Sequence, residues 1–227
     1  MNDSKFPRSN RVAEQIRVLP KSGIREFFDL VSTVKDVISL GVGEPDFVTP
    51  WTVRESAIFS LEKGHTSYTS NLGLLSLRKA ISAYLAEDYG IEYDPVSQCL
   101  ITVGVSEALD LAIRAVVNPG DEVIYAAPCY VSYPVEVSMA HGIPVALATR
   151  EEDNFAVDPE ALRRLITPRT RLLLLNFPCN PTGATLTLQQ MREIAEIAVA
   201  NDLIVITDEI YSELNYGQRL PTIASRS

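Results

Sequence analysis

Residues 170–211 read TRLLLLNFPCNPTGATLTLQQMREIAEIAVANDLIVITDEIY. The apolar runs at residues 172–175 and 203–206 predict two strands that are buried on both faces, because short apolar runs between turn residues are typical of such strands. Between the runs, Thr187 and Gln190 form a capping-box pattern, which predicts the start of a helix. A strand, a helix and a second strand in this order predict a parallel pair joined through a helix.

Apolar runs of the same kind recur nearer the N-terminus, at residues 100–103, 123–126 and 145–148. Helical stretches follow the first, third and fourth of the five runs, and two further helices are predicted at about residues 50–63 and 74–89. This alternation predicts an α/β fold, with a mostly parallel sheet that helices cover on both faces. The first 45 residues are interpreted as an N-terminal arm with an amphipathic helix at residues 24–31.

The composition favours a globular protein and disfavours several kinds of partner. The 227 residues are 46% hydrophobic, and the formal net charge is −9, from 20 basic and 29 acidic residues without a basic cluster. Nucleic acid and membranes are therefore not expected as partners, and no segment has the length of a signal peptide or membrane span. The cysteines Cys99, Cys129 and Cys179 form no CxxC pair, which argues against disulfides or a zinc site and favours a cytoplasmic location.

The residues that directly follow the predicted strands are the candidates for a functional site, because ligands bind at the carboxyl ends of parallel strands. Val105 and Ser106 open a helix after the first run, where free N–H groups and a hydroxyl suit a phosphate, although Ser106 could also be an ordinary N-cap. Asn180 lies in a turn rich in proline after the fourth run. Asp208 and Tyr211 follow the fifth run, and a carboxylate that emerges from an apolar strand requires a cationic partner.

Three other families share parts of this pattern. Residues 104–108 resemble the nucleophile elbow of hydrolases, but neither His65 nor His141, the only histidines, follows a later strand, so no complete triad is expected. The carboxylates after the fifth run resemble the magnesium-binding strand of P-loop ATPases, yet the chain has no Gly-x-x-x-x-Gly-Lys-Ser/Thr motif. Residues 41–43 lack the third glycine of a dinucleotide-binding motif.

Taken in order, the motifs resemble those of the aspartate aminotransferase-like enzymes, the class I/II aminotransferases of fold type I, which use pyridoxal 5′-phosphate (PLP). The resemblance runs from about residue 20 to Tyr216 and rests on six segments: 39–47 (SLGVGEPDF), 68–81, 104–106, 128–130, 180–183 and 208–211. It implies a three-layer α/β/α large domain that binds PLP, at residues 46–227. Residues 1–45 would then be the N-terminal arm and part of a small domain.

The resemblance implies a role for each residue around the cofactor ring. Asp208 would pair with the protonated pyridine nitrogen and keep the ring cationic, so that the ring can accept electrons. Asn180 and Tyr211 would hydrogen-bond to the phenolic oxygen of the ring. Tyr130 would stack on the ring face, which suits its flat π-system.

The resemblance also implies contacts with the phosphate and the substrate. Val105 and Ser106 would bind the phosphate, and Tyr68 would reach the phosphate of a neighbouring subunit, which implies a homodimer. Gly43 would let the backbone pass close to the substrate carboxylate, because glycine has no side chain to obstruct it. Asn180 would contact the substrate as well as the ring.

The lysine that forms the Schiff base with PLP in this family is expected after Tyr211, but the chain has no lysine beyond Lys79. No catalytic residue is therefore predicted within the chain, which is interpreted as an N-terminal fragment. Its sheet would be incomplete, so that the run at 100–103 lacks a neighbour and the run at 203–206 forms an exposed edge. We expect such a fragment to be inactive alone and to aggregate.

The function implied by the resemblance is the transfer of an amino group between an L-amino acid and a 2-oxo acid, in amino acid metabolism. Two alternatives stay open. Carbon–sulfur lyases and decarboxylases of the same fold share these residues, so the cofactor is better defined than the reaction. The chain could also be a catalytically inactive, truncated product with this fold. The sequence identifies neither substrate.

Overall fold

The computed structural model describes residues 11–19, 38, 43, 47–217 and 219–224. The chain divides into two compact units, one formed by Met1–Leu19 and Leu72–Ser227 and the other by Pro20–Asn71. The second unit contains helix α2 (Trp51–Glu62), close to its predicted bounds. The helix predicted at residues 24–31 lies outside the described residues.

The first unit contains the remaining described α-helices and strands, and a 3-10 helix at Glu151–Asp153. The helices are α1 (Glu14–Arg17), α3 (Leu75–Tyr89), α4 (Gly104–Val116), α5 (Ser132–Met139), α6 (Pro159–Leu165) and α7 (Leu188–Ala200). The strands are β1 (Glu122–Ala127), β2 (Ile143–Ala148), β3 (Thr170–Asn176) and β4 (Ile204–Asp208). Four of the five apolar runs are therefore strands, and the helix predicted at residues 74–89 is confirmed.

The four strands form one parallel sheet in the order β2-β1-β3-β4. The register pairs Leu172 with Ile204 at one end of β3 and β4, and Asn176 with Asp208 at the other. The polar residues that end these two strands therefore lie side by side. Among the described strands β4 pairs with β3 alone, so the predicted edge strand is confirmed for the sheet as described.

Helices cover both faces of this sheet, which confirms the three-layer arrangement. On one face, Ile124 and Leu173 pack with buried residues of α6 and α7, such as Leu162 and Ile194. On the other face, the alternate strand residues pack with α4 and α5; this cluster includes Val123, Leu172, Leu174, Leu109, Ile113, Tyr133 and Val137. Successive side chains of a strand point to opposite faces, so a strand buried on both faces is apolar throughout.

The strand predicted at residues 100–103 is wrong. These residues are irregular, Val103 is 91% exposed, and the Ile101 N–H donates to the Leu72 carbonyl oxygen at 3.1 Å instead of joining the sheet. A strand requires a neighbour for its backbone hydrogen bonds. Within the described residues this run has no such neighbour, which agrees with the expectation that its neighbour is missing, although its apolar composition alone could not reveal that.

The helix signals of the sequence have mixed outcomes. The capping box at Thr187 and Gln190 is confirmed, with both reciprocal hydrogen bonds formed at the start of α7. Helix α5 was not predicted, because Pro134 interrupts its apolar pattern. Proline is tolerated there, since Pro134 lies in the first turn, where the N–H groups have no partner within the helix. No helix in the described part of the chain is long and apolar enough to cross a membrane.

Candidate functional site

A cavity of about 260 Å³ lies where the carboxyl ends of β3 and β4 meet the start of α4 and the connection between β1 and α5. Six of the eight residues predicted for the site line it: Val105, Ser106, Tyr130, Asn180, Asp208 and Tyr211. These residues come from four separate segments of the chain. A larger cavity, of about 490 Å³, lies beyond β2 and includes none of the predicted residues, so it is not the candidate site.

The Asp208 carboxylate is held by two neutral donors. Its Oδ2 accepts a hydrogen bond from the Tyr133 hydroxyl at 2.9 Å, and its Oδ1 accepts one from the Ile210 N–H at 3.1 Å. Among the residues that the structure describes, no lysine, arginine or histidine forms an ion pair with Asp208. The predicted cationic partner is therefore not a side chain of the described residues, which leaves the carboxylate suited to a cationic ligand.

Asn176 connects the end of β4 to the turn after β3. It is 5% exposed, and its Nδ2 donates to the Asp208 carbonyl oxygen at 2.8 Å while its Oδ1 accepts from the Asn180 N–H at 2.9 Å. Asn176 thus fixes the positions of two predicted site residues. Asn176 was not among the predicted site residues, because its two contacts depend on the register of β3 and β4 and on the fold of the turn after β3.

The turn that carries Asn180 is closed by backbone hydrogen bonds. The Gly183 N–H donates to the Cys179 carbonyl oxygen at 2.8 Å, and Gly183 has a φ of 71°, a conformation that glycine adopts without strain. Asn180 Nδ2 donates to the Tyr211 hydroxyl oxygen at 3.4 Å. The two residues predicted to contact the same ligand oxygen are therefore adjacent.

The start of α4 lines one side of the cavity. The N-cap residue is Val103, whose apolar side chain cannot accept hydrogen bonds from the first turn, and Val105 and Ser106 lie within that turn. The ordinary alternative, Ser106 as the N-cap, is therefore wrong. First-turn N–H groups have no partner within the helix, and together with the helix dipole they favour an anion.

Tyr130 and Tyr133 form an edge-to-face pair on one wall of the cavity. Their ring centroids are 5.8 Å apart and the rings are inclined at 79°. Cys129 precedes this pair, and burial, with a contribution from Cys179, raises the pKa of its thiol to about 11. A thiol with such a pKa stays protonated at neutral pH, so Cys129 is not an activated nucleophile.

Glu136 lies one turn after Tyr133 on α5, and within the described part of the chain its buried Oε2 has no hydrogen-bond partner. Burial, and then the charges of Asp110 and Asp208, raise the pKa of this carboxyl to about 7. Glu136 was not predicted from the sequence, because its environment includes Asp110 of α4 and Asp208 of β4, which are distant along the chain.

Tyr68 and Gly43 belong to the second unit. The Tyr68 side chain is exposed, and no described atom lies within 4 Å of the position that a Cβ at Gly43 would take. The geometry of the cavity in the first unit does not test their predicted roles.

The family described as aminotransferase class I and II matches residues 35–226. The chain belongs to this family. Putative aminotransferase YugH of Bacillus subtilis is 48% identical over 94% of the chain and 55% of its own length. The aspartate aminotransferase of Pyrococcus abyssi is 40% identical over 90% of the chain and 53% of its own length.

A solved structure described as Pyrococcus protein A1 superposes with a TM-score of 0.91, at 43% identity, over 94% of this chain and 55% of that one. The chain spans about half the length of the curated relatives it matches. Class I and II aminotransferases depend on PLP, so the recognition of the family and of its cofactor is confirmed.

The donors and acceptors of the cavity fit PLP. The Asp208 carboxylate, without a counter-ion among the described residues, matches a cationic ring nitrogen. The amide of Asn180 and the phenol of Tyr211 match the phenolic oxygen, and the start of α4 matches the phosphate. An aromatic side chain, Tyr130, is available for the ring face.

Proposed function

We propose that the protein containing this chain is a PLP-dependent aminotransferase that moves an amino group between an L-amino acid and a 2-oxo acid. The observation that carries the proposal is the Asp208 carboxylate, held by neutral donors in a cavity that also contains Asn180, Tyr211 and the start of α4. Membership of the family and the names of the relatives support it.

Asp208 would hold the ring nitrogen of the cofactor in its protonated form. When bound, PLP supplies an electron sink that stabilises negative charge at the carbon next to the amino group. A carboxylate that has no cationic partner among the described residues favours the cationic ring, because a nearby opposite charge stabilises the ionised form. Asn180 and Tyr211 would orient the ring through its phenolic oxygen.

Val105 and Ser106 would bind the phosphate through first-turn N–H groups and the serine hydroxyl. Tyr130 would cover one face of the ring and exclude water from it. Gly43 and Asn180 would bind the substrate carboxylate.

Three further statements belong to the proposal. The protein would act as a homodimer in which Tyr68 reaches the phosphate of the neighbouring subunit; its exposed side chain is compatible with such a contact. Residues 1–45 would form an arm and part of a small domain, and residues 46–227 a large domain. A cytoplasmic location is supported by the three free cysteines.

The covalent attachment of PLP would use a lysine outside these 227 residues. Two observations support this part of the proposal: the chain has no lysine after Lys79, and its relatives are nearly twice as long. The family's arginines for the substrate carboxylate would lie in the same region.

The first experiment determines the mass of the native protein and its absorbance. A mass near that of the relatives, with a band at about 360 to 430 nm that borohydride removes, supports the proposal. A mass near 25.0 kDa without the band would identify an inactive short product.

The second experiment offers the holoenzyme a panel of L-amino acids with 2-oxoglutarate. Formation of the matching 2-oxo acid and glutamate supports transamination, whereas release of carbon dioxide or sulfide would indicate a decarboxylase or a carbon–sulfur lyase. Asp208→Ala should abolish turnover and leave the fold intact, and wild-type turnover in this variant would contradict the assignment of the site.

A further inference from the structure

Tyr133 is a lining residue of the cavity that the predicted cofactor contacts do not include. It is the second residue of α5, it is 2% exposed, and its N–H donates to the Tyr130 carbonyl oxygen at 3.2 Å. Its ring packs in the apolar cluster formed by α4, α5 and one face of the sheet. Both the backbone and the ring of Tyr133 are therefore held in place.

The Tyr133 hydroxyl donates a hydrogen bond to the Asp208 Oδ2 at 2.9 Å. Burial, and then the charge of Asp208, raise the pKa of Tyr133 above its ordinary value. The phenol therefore stays protonated and acts as the donor, with the Asp208 oxygen as the acceptor. Hydrogen bonds to a charged group are stronger than those between neutral groups.

The two oxygens of Asp208 are held from different directions. The Ile210 N–H fixes Oδ1 locally, two residues along the chain, whereas Tyr133 fixes Oδ2 from 75 residues away. Two donors at separate oxygens determine the plane of the carboxylate. Each oxygen retains an acceptor site for a further donor, because a carboxylate oxygen accepts more than one hydrogen bond.

We propose that Tyr133 is a positioning residue of the cofactor site: its hydroxyl orients the Asp208 carboxylate towards the ring nitrogen of the cofactor, and its ring, in edge-to-face contact with Tyr130, sets the angle of that ring. This inference rests on the proposed function, since it requires that PLP binds in this cavity. Tyr133 does not touch the reacting atoms in this arrangement. It acts through Asp208 and Tyr130.

Tyr133→Phe separates the two parts of this role, because it removes the hydroxyl and retains the ring that contacts Tyr130. Tyr125→Phe is the matched control: Tyr125 packs against the same apolar cluster from β1, and the change removes the same atom. Both variants are made in the protein expressed from its complete gene. Hydroxylamine releases PLP from its Schiff base as the oxime, and dialysis then removes it.

The probes are 4′-deoxypyridoxine 5′-phosphate, which has the ring nitrogen and the phosphate but no aldehyde, and its carbocyclic counterpart, in which a C–H group replaces the nitrogen. Equilibrium binding gives the dissociation constant of each probe. Their ratio measures how strongly the site prefers the ring that contains the nitrogen. We expect Tyr133→Phe to lower this ratio about tenfold, as expected for the loss of one hydrogen bond to a charged group. Tyr125→Phe should leave the ratio unchanged.

The double variant Tyr133→Phe/Asp208→Asn tests the route of the effect. If Tyr133 acts through Asp208, removing its hydroxyl should not change the ratio once Asp208→Asn is present. A full tenfold loss in that background would overturn the inference.

The remaining outcomes are distinct. An equal loss of affinity for both probes in Tyr133→Phe would show that the hydroxyl only supports the fold, and an unchanged ratio would show that it has no role; either overturns the inference and leaves the proposed function intact. A wild-type protein that does not distinguish the probes would overturn the role of Asp208, and the inference with it.

Discussion

Asn176 and Asp208 are partners in the parallel register of β3 and β4, and the Asn176 amide donates to the Asp208 carbonyl oxygen at 2.8 Å. The same amide group accepts from the Asn180 N–H at 2.9 Å. One buried side chain thus connects the end of a strand to a turn, and both of these carry residues that we assign to the cofactor.

Asn176→Leu should lower the free energy of unfolding by about 2 to 4 kcal/mol, because it leaves the part-buried Asp208 carbonyl and Asn180 N–H without their partner. Urea unfolding measures the loss. Asn201→Leu is the matched control, since Asn201 also donates to one carbonyl oxygen, that of Ile197, but is exposed at the end of α7. Water can replace that bond, so we expect a cost below about 1 kcal/mol. Equal costs for the two variants would contradict the structural role of Asn176.

The sequence predicted the sheet well because its strands are buried on both faces, and such strands are recognisable as apolar runs. It failed for residues 100–103, since an apolar run becomes a strand only when a neighbour is present. The candidate site was predictable where its residues directly follow a strand, as Asp208 does.

Tyr133 and Asn176 were not predicted as site residues, for a different reason. Each acts through a hydrogen bond to Asp208, from 75 and 32 residues away, respectively. Such contacts depend on register and helix packing, which no local pattern encodes. The same holds for Glu136, whose environment is created by two other segments.

Glu122 is a buried carboxylate whose contribution to stability depends on pH. Hydrogen bonds from Thr167 and Arg169 lower the pKa of Glu122 below its ordinary value, although burial opposes them. A carboxyl whose pKa is lowered on folding stabilises the folded state above its unfolded-state pKa, and this stabilisation is lost as the pH falls through the folded-state value.

We therefore expect Glu122→Gln to lower the free energy of unfolding by about 2 kcal/mol at pH 7. The difference from wild type should begin to shrink near about pH 4, where the unfolded-state carboxyl takes up its proton, and should shrink further as the pH falls through the lowered folded-state pKa. Urea unfolding at several pH values measures this. Glu160→Gln is the control, because Glu160 pairs with Arg163 at the surface, where such pairs contribute about 0.5 kcal/mol or less. A pH-independent effect at Glu122 would show that packing, not charge, is responsible.

Gly73 and Gly90 allow a separate test of backbone strain and close packing. Both have positive φ, of 86° and 67°, so alanine is strained at either position. A Cβ at Gly73 would lie 2.6 Å from the Ile101 Cβ, whereas a Cβ at Gly90 would meet no described atom within 4 Å.

Gly90→Ala should therefore lower the free energy of unfolding by about 1 to 2 kcal/mol, because alanine is strained in the left-handed conformation. Gly73→Ala should cost more, by about 1 to 3 kcal/mol, because the backbone or Ile101 must move to remove the overlap. Thermal unfolding of both variants compares them. Similar costs would show that the contact between Gly73 and Ile101 relaxes freely.

Glu136 should show the opposite pH dependence to Glu122, because its pKa is raised to about 7 by burial and by the charges of Asp110 and Asp208. A carboxyl whose pKa is raised on folding keeps its proton up to a higher pH in the folded state than in the unfolded state. The unfolded state therefore loses its proton first, and the free energy of unfolding falls as the pH rises from the unfolded-state value to about 7. Above that pH the carboxyl is ionised in both states, and the free energy of unfolding no longer falls because of this group.

Glu136→Gln removes this dependence, since an amide of the same shape does not ionise. The variant should match wild type near pH 5 and exceed it at pH 8 by about 1 to 3 kcal/mol in free energy of unfolding. Glu87→Gln, at an exposed position on α3, should change neither value. If Glu136→Gln were no more stable than wild type at pH 8, the ionised carboxylate would have to be paired in the full protein, and the buried Oε2 would then mark a contact made by another part of it.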